Sequence, residues 1–255
     1  MNDTELLDVL CARRGIVCAV GAGGKKTTLY RLLRAHPGRA AFTSTVFTYT
    51  FPEDLAAHPI VDAPERIVAR VLAAGGAHRK LAFASPSDKP GRLVGLTPAQ
   101  VTECHARGGF DVTLVKADGA RMRVIKAPDA HEPNLVPGAA TVLALVSARA
   151  IGLPLSARCA HRPERVAAVT GARAGEPLTP RHIAALIASP DGLLRGVGDA
   201  RVVPVINMAD SESERAAALE AARIALDSSD RYDRVVVAAM HADDPIVAVL
   251  ERRRA

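Results

Sequence analysis

An apolar run, a glycine-rich turn and a helical pattern follow one another near the start of the chain, and this succession limits the possible folds most. The run from Ile16 to Val20 has strand length, and Leu29, Leu32 and Leu33 share one face of the helical pattern. The turn consists of Gly21, Ala22, Gly23, Gly24, Lys25, Lys26, Thr27 and Thr28. Glycines let backbone N–H groups converge on an anion, and a helix N-terminus adds partial positive charge. This layout predicts a phosphate-binding loop.

The turn matches the usual phosphate-loop motif only in part. That motif reads G-x-x-x-x-G-K-[ST], in which the lysine reaches the terminal phosphates and the hydroxyl holds Mg²⁺. With Lys26-Thr27 as the K-T pair, Lys25 stands where the last glycine belongs. With Lys25 as the motif lysine, Lys26 stands at the hydroxyl position. The sequence favours Lys26-Thr27 and leaves Thr27 or Thr28 as the hydroxyl that holds the metal; the alternative is a turn with solvated lysines.

Composition and charge restrict the class of protein. The chain has 255 residues, a net charge of +6 and only 3% aromatic residues. No apolar run approaches the roughly 20 residues of a membrane span, and the four cysteines show no C-x-x-C spacing. We therefore predict a cytoplasmic protein without a membrane segment, a disulfide framework or a zinc site. Nucleic acid is not an expected partner, because aromatic residues are few and no nucleic-acid-binding motif is present.

Helical and strand patterns alternate along the rest of the chain, as is typical of a mainly parallel sheet covered on both faces. Strands are predicted near residues 40–42, 80–84, 111–117, 142–146, 201–206 and 234–239, and helices near 3–14, 25–36, 64–74, 97–108, 211–226 and 245–252. Between 152 and 199 the strand signal vanishes. We predict one three-layer α/β/α domain over residues 1–255, with a phosphate-loop NTPase-like fold and a helical insertion at 152–199.

A carboxylate and three cations follow the strand predicted near 111–117. Asp118 ends that strand, and phosphate-loop enzymes hold Mg²⁺ with a carboxylate in such a place. Arg121, Arg123 and Lys126 come directly behind it. We predict that Asp118 binds Mg²⁺ together with Thr27, and that Arg121 stabilises the charge that develops during phosphoryl transfer. The alternatives are an ordinary Asp-Gly turn and solvated surface cations.

Two further polar stretches are candidates for an active-site loop. Thr43, Ser44 and Thr45 follow the second predicted strand, and open α/β sheets bind ligands at that end of their strands. An edge strand rich in β-forming residues is the equal alternative. His131 and Glu132 predict a polar loop over the site that orients water.

The segment Asn207-Met-Ala-Asp210 follows another buried strand and has the Asn-x-x-Asp form of a guanine-reading element. A carboxylate at Asp210 would accept hydrogen bonds from the N1–H and the amino group of guanine. Met208 replaces the usual lysine, but a methionine can also cover an aromatic face. The alternative is that Asp210 caps the helix that begins at Ser211.

Together, these stretches resemble those of one protein family. The blocks that carry the resemblance are Gly21-Ala-Gly-Gly-Lys25, Thr43-Ser-Thr45, Lys116-Ala-Asp-Gly-Ala-Arg121, Lys126-Ala-Pro128, His131-Glu-Pro133, His161-Arg-Pro-Glu164 and Asn207-x-x-Asp210. These blocks occur in the same order as in the YqeC family, which the chain therefore resembles. The members of that family are described as accessory proteins in the maturation of selenium-dependent molybdenum hydroxylases. The resemblance implies a phosphate-loop-type nucleotide-binding protein that acts near such hydroxylases, where selenium or the pterin cofactor is handled. The chain departs at Lys26 and Ser44, where many relatives have threonine.

The predicted function is therefore that of a Mg²⁺-dependent NTPase, with GTP slightly ahead of ATP, that assists maturation or cofactor insertion of a molybdenum hydroxylase. Its expected partners are a nucleoside triphosphate and the hydroxylase or its maturation factors. The predicted catalytic residues are Lys26, Asp118 and Arg121, and the predicted base-binding residues are Asn207 and Asp210. The alternatives are a non-hydrolysing carrier of a molybdopterin-type phosphate cofactor and a phosphotransferase that acts on a small molecule.

Overall fold

Helices and strands alternate along the chain, and the computed structural model describes them for residues 2–252. The α-helices are α1 (Asp3–Val9), α2 (Lys25–Ala35), α3 (Ile67–Ala74), α4 (Pro98–Gly108), α5 (Pro163–Thr170), α6 (Pro180–Ala188) and α7 (Glu212–Ser228). The strands are β1 (Gly15–Gly21), β2 (Ala40–Ser44), β3 (Thr48–Tyr49), β4 (His58–Val61), β5 (Lys80–Pro86), β6 (Arg92–Val94), β7 (Val112–Lys116), β8 (Ile125–Lys126), β9 (Thr141–Ser147), β10 (Ala160–His161), β11 (Arg201–Asn207), β12 (Arg234–Ala238) and β13 (Ile246–Glu251). Short 3₁₀ turns lie at Glu53–Leu55 and Ala148–Ala150.

The main sheet has 11 strands and is mostly parallel. Its order is β13-β12-β11-β9-β1-β7-β2-β5-β6-β3, and β4 pairs in parallel with β5. The strands from β12 to β5 in this order are parallel, whereas β13 at one edge and the pairs of β6 are antiparallel. β1 therefore lies inside the sheet, between β9 and β7.

Helices cover both faces of this sheet, because the side chains of its inner strands alternate between two apolar layers. On one face Val17 of β1 belongs to the same cluster as Leu29 of α2. On the other face Cys18 belongs to a cluster that contains Ile183 of α6 and Ala218 of α7. The predicted three-layer α/β/α class is confirmed, and the fold is phosphate-loop-like.

The segment between 152 and 199, for which a helical insertion is predicted, contains α5 and α6. It also contains one short strand that the pattern did not predict, since β10 pairs in parallel with β8. Ile183, Leu186 and Ile187 of α6 are buried in the cluster that includes the sheet residues Cys18 and Val142. The segment thus packs directly on the sheet.

The helix predicted for residues 245–252 is wrong. Ile246–Glu251 forms strand β13, antiparallel to β12. Ile246, Val247 and Val249 are β-branched and favour an extended backbone, and the edge of β12 offers unpaired N–H and C=O groups. Within residues 2–252, no helix combines the length and apolar composition that a membrane span requires.

The fold brings the ends of four parallel strands to one edge of the sheet. Gly21, Lys116, Ser147 and Asn207 are the last residues of β1, β7, β9 and β11, respectively. Strands β2 and β5 lie on one side of β1 in the sheet. The later strands β9, β11 and β12 lie on the other side, so the order of the strands reverses at β1. Open α/β sheets bind ligands at the carboxyl ends of their strands where the order reverses in this way.

Candidate functional site

The turn between β1 and α2 is a tight loop that needs glycine. Gly23 has a φ of +96° and Gly24 a φ of +97°, a backbone region that side chains rarely adopt. A side chain at Gly23 would also collide with the backbone of Ser147, and one at Gly24 with the amide of Asn207. The loop is therefore seated against the ends of β9 and β11.

Helix α2 begins directly at this loop without a capping side chain. Gly24 is its N-cap residue, whereas α1, α4, α6 and α7 each begin with a capping box. The first N–H groups of a helix have no partner within the helix. At α2 they remain available to an anion, and the helix dipole favours negative charge there.

Lys25 and Asp118 form a buried ion pair under the loop. Lys25 is the first residue of α2 and is 6% exposed; its Nζ lies 2.8 Å from Oδ1 of Asp118 and donates to the carbonyl of Gly21. The other carboxylate oxygen, Oδ2, accepts the Gly21 N–H at 2.9 Å and lies 2.9 Å from Nζ of Lys126. One carboxylate is thus held by two ammonium groups and one backbone amide.

These contacts keep the Asp118 carboxylate ionised. Burial alone would raise the pKa of Asp118, but Lys25 and Lys126 outweigh burial and hold that pKa below its ordinary value. Behind it, Lys126 also lies 2.8 Å from Glu132, which lies 2.7 Å from Arg162. A continuous chain of ion pairs therefore runs from the loop to Arg162.

The loop opens into a cleft of about 560 Å³, and the Lys and Arg side chains that line it are all positively charged. The charged side chains that line it are Lys25, Lys26, Lys89, Arg92, Lys116, Arg121 and Arg123. Among the described residues, no aspartate or glutamate lines this cleft. The ion pairs within residues 2–252 include Lys25 but none of the other six cations. A cleft of this kind attracts a ligand with several negative charges.

Two aromatic residues hold some of these cations without neutralising them. The guanidinium of Arg92 lies 3.6 Å from the ring centroid of Tyr49 and donates to its hydroxyl at 3.0 Å. Nζ of Lys26 lies 4.4 Å from the same ring, and Nζ of Lys89 lies 4.6 Å from that of Phe47. Cation–π contacts position a cation but leave its charge uncompensated.

Lys116 is a buried lysine in the wall of the cleft. It is 9% exposed, and its Nζ donates to the carbonyl of Phe47 at 2.8 Å. Burial is the main cause that lowers its pKa from 10.5 to about 7, and the positive charge of Lys25 adds to it. Asp118 opposes this shift, while Lys126 and Lys26 lower the pKa further. Lys116 therefore changes charge near neutral pH.

The donor atoms around the loop do not fit the predicted Mg²⁺ site. Both oxygens of Asp118 lie within 2.9 Å of a lysine ammonium, and Oδ2 also accepts the N–H of Gly21, while Oδ1 accepts no hydrogen bond from the described residues. The hydroxyl of Thr28 is directed to the carbonyl of Gly24, and Thr27 lines the cleft, in which no described carboxylate lies. No group of three or more His, Cys, Asp or Glu side chains within residues 2–252 could hold a metal ion. At phosphate sites Mg²⁺ takes one or two protein oxygens beside phosphate oxygens and water; here the ammonium groups of Lys25 and Lys126 already contact the carboxylate that was predicted for this role.

The predicted loop of hydroxyl residues braces the strands instead of lining the cleft. Thr43 donates to the carbonyl of Phe83 at 2.7 Å, and Ser44 donates to that of Lys116 at 2.8 Å. Thr45 is also buried and donates to the carbonyl of Asn134 at 2.6 Å. Their hydroxyl protons are therefore engaged in backbone contacts.

Asn207 and Asp210 occupy different environments. The Asn207 side chain is buried; it donates to the carbonyl of Gly23 at 2.8 Å and accepts the N–H of Met240 at 3.0 Å. Asp210 pairs with Arg149 at 2.7 Å and does not line the cleft. The helix cap is Ser211 and not Asp210, because the Ser211 side chain accepts the N–H at the third helical position. Asn207 thus braces the glycine loop.

The remaining predicted residues lie in front of and behind the loop. Arg121 and Arg123 are exposed and line the cleft, whereas His131 is exposed outside it. Lys126 is buried and Glu132 is half-buried, and both belong to the chain of ion pairs behind the loop. Pairing of β8 with β10 places His161 opposite Lys126 in the register.

Among the lysine, arginine, tyrosine and phenylalanine residues of the cleft, five were not predicted as site residues: Phe47, Tyr49, Lys89, Arg92 and Lys116. The distribution of lysine could have revealed two of them. Only six of the 33 basic residues are lysines. Four of the six line the cleft, a fifth binds Asp118, and Lys80 alone lies elsewhere. In an arginine-rich chain, the rarity of lysine was the signal that the sequence offered.

The fold and this loop define an α/β protein with a phosphate-loop-like turn. The chain belongs to the YqeC family, since the family model described as YqeC protein matches residues 17–164. It is similar to the protein named Uncharacterized protein YqeC of Escherichia coli (strain K12). The two are 28% identical over a match of 196 residues that covers 72% of each chain.

Proposed function

We propose that this protein binds a nucleoside triphosphate through the glycine loop and serves as an accessory factor in the maturation of a molybdenum hydroxylase. The observation that carries the binding proposal is the cleft with seven cationic side chains and no described carboxylate, continuous with the uncapped start of α2. The role in hydroxylase maturation rests on the description of the YqeC family.

Lys25 is the better candidate for the lysine that grips the terminal phosphates. It is the first residue of α2, and its ammonium already contacts the carbonyl of Gly21 in the loop. An incoming phosphate oxygen would replace that carbonyl as the acceptor. Lys26 points to Tyr49 on the cleft side and would contact a different part of the phosphate chain. Both lysines would therefore contact the phosphate chain, Lys25 from within the loop and Lys26 from the cleft.

A second candidate is a non-hydrolysing carrier of a phosphate-bearing cofactor. The residues that line the cleft favour such a carrier, because hydrolysis usually requires a carboxylate or an amide that orients the water molecule attacking phosphorus. No described aspartate, glutamate, asparagine or glutamine lines the cleft. The apolar side chains of Phe47, Met122 and Met208 on its walls could contact a nucleobase or a pterin ring.

Displacement of a fluorescent nucleotide by ATP and by GTP tests the proposal, with phosphate release followed in parallel. Micromolar binding with phosphate release supports an NTPase, and binding without release supports the carrier. Release only after a small-molecule acceptor is added would indicate the phosphotransferase. A protein that binds neither nucleotide at millimolar concentration would contradict the proposed function.

Replacing Asp210 with asparagine should leave the preference between GTP and ATP unchanged, within about twofold. The reason is that Asp210 lies outside the cleft and pairs with Arg149. The check is the ratio of the two dissociation constants in wild type and variant. A selective loss of GTP binding would restore Asp210 to the base-binding role that the sequence predicts.

Nucleotide affinity should decrease as the pH rises through neutrality. Lys116 carries its proton below its pKa of about 7 and loses it above. A bound anion stabilises the charged form, so binding takes up a proton in this range. Loss of a charged contact weakens binding by about tenfold.

The control for this pH dependence is Lys116→Met, measured with the same ligand over pH 6 to 8.5. Protonation of the ligand affects both proteins equally, so the difference between their slopes reports Lys116. We expect a steeper loss of affinity in the wild type. Equal slopes would show that Lys116 does not meet the ligand.

A further inference from the structure

The second residue of α2 is a lysine in a place where phosphate loops hold a metal. In such loops, the residue after the motif lysine supplies a hydroxyl to Mg²⁺. With Lys25 as the inner lysine, that residue is Lys26. Its ammonium lines the cleft and lies 4.4 Å from the ring centroid of Tyr49.

An ammonium and a hydroxyl have opposite effects at this place. A hydroxyl offers an oxygen ligand to a cation, whereas a lysine offers no acceptor and three N–H donors. A divalent cation next to Lys26 would be repelled by its charge. The ammonium can donate directly to the phosphate oxygens that the metal would otherwise bridge.

The surroundings of Lys26 are consistent with an ammonium group in place of a metal ion. Burial, and next the charge of Arg92, lower the pKa of Lys26, as expected for a cation without a compensating carboxylate. The buried carboxylate at the loop, that of Asp118, has a lysine ammonium within 2.9 Å of each of its oxygens. Six cations of the cleft that lack an ion pair among the described residues supply the charge that a metal would bring.

We propose that the cleft binds its polyphosphate ligand free of divalent metal, with the Lys26 ammonium in the position that Mg²⁺ takes in other phosphate loops. This inference rests on the proposed function and narrows its ligand to the metal-free di- or triphosphate. It also replaces the Mg²⁺ dependence that the sequence predicts.

Calorimetric titration with pyrophosphate, ATP and GTP, in excess EDTA and in excess Mg²⁺, tests the inference. The wild type should bind in EDTA at least as tightly as in Mg²⁺. Lys26→Thr should lose about tenfold or more in EDTA, the effect of removing one charged hydrogen bond, and less in Mg²⁺. Lys26→Arg, which keeps the charge, should retain most of the affinity in EDTA.

Lys80→Thr is the matched control, because Lys80 is the one lysine outside the site. It should bind as the wild type does in both buffers. A wild type that requires Mg²⁺, or a Lys26→Thr variant that binds in EDTA as tightly as the wild type, would overturn the inference and leave nucleotide binding intact. Absence of binding in both buffers would overturn the proposed function and the inference with it.

Discussion

Replacing Asp118 with alanine is expected to lower the free energy of unfolding by about 3–5 kcal/mol, the usual effect of removing one partner of a buried ion pair. The substitution leaves the ammonium groups of Lys25 and Lys126 close together without their common carboxylate, and both are almost fully buried. The N–H of Gly21 loses its acceptor as well. Urea unfolding, followed by circular dichroism, measures the change.

The matched control is Asp210→Ala, which removes a carboxylate from the exposed pair with Arg149. Exposed pairs contribute about 0–1 kcal/mol, so this variant should unfold near the wild-type midpoint. If Asp118→Ala is as stable as Asp210→Ala, the buried cluster does not hold the loop as described.

Replacing Lys25 with methionine is expected to weaken the binding of nucleotide by about 100-fold, the upper range for loss of a charged hydrogen bond in a partly dry site. The variant should remain folded, because Asp118 keeps its contacts with Lys126 and the N–H of Gly21. Methionine also retains the apolar stem of lysine. Displacement of a fluorescent nucleotide measures binding, and circular dichroism verifies the fold.

Lys80→Met is the control for Lys25→Met, since it removes the lysine that lies away from the cleft. It should bind nucleotide as the wild type does. A Lys25→Met protein that is folded and binds within about threefold of the wild type, less than 1 kcal/mol, would show that Lys25 is not the lysine at the phosphates.

The parts of the fold with strong periodicity were predictable from the sequence. The apolar run before Gly21 predicted β1, because a strand that is buried on both faces is apolar throughout. The leucines after Gly21 predicted α2, because a helix that is buried on one face has apolar residues at helical spacing. The last strand was missed because Ala248, Leu250 and Glu251 also suit a helix. Its conformation is decided by the open edge of β12.

The site was predictable where residues are neighbours in sequence and unpredictable where the fold assembles them. Asp118 and the glycine loop were found, but the choice between Lys25 and Lys26 depends on which side chain turns inward. Lys116 and Arg92 enter the cleft from strands β7 and β6. Strands β8 and β10 have only two residues each, which is too short for a sequence pattern that would predict their pairing.

A crystal structure of the protein with pyrophosphate or ATP bound would show whether the glycine loop and Lys25 bind the phosphates. We expect phosphate oxygens within hydrogen-bonding distance of the first N–H groups of α2 and of Nζ of Lys25, with the rest of the ligand in the cation-lined cleft. Phosphates bound elsewhere on the protein, with the Lys25 ammonium still on the carbonyl of Gly21, would contradict it.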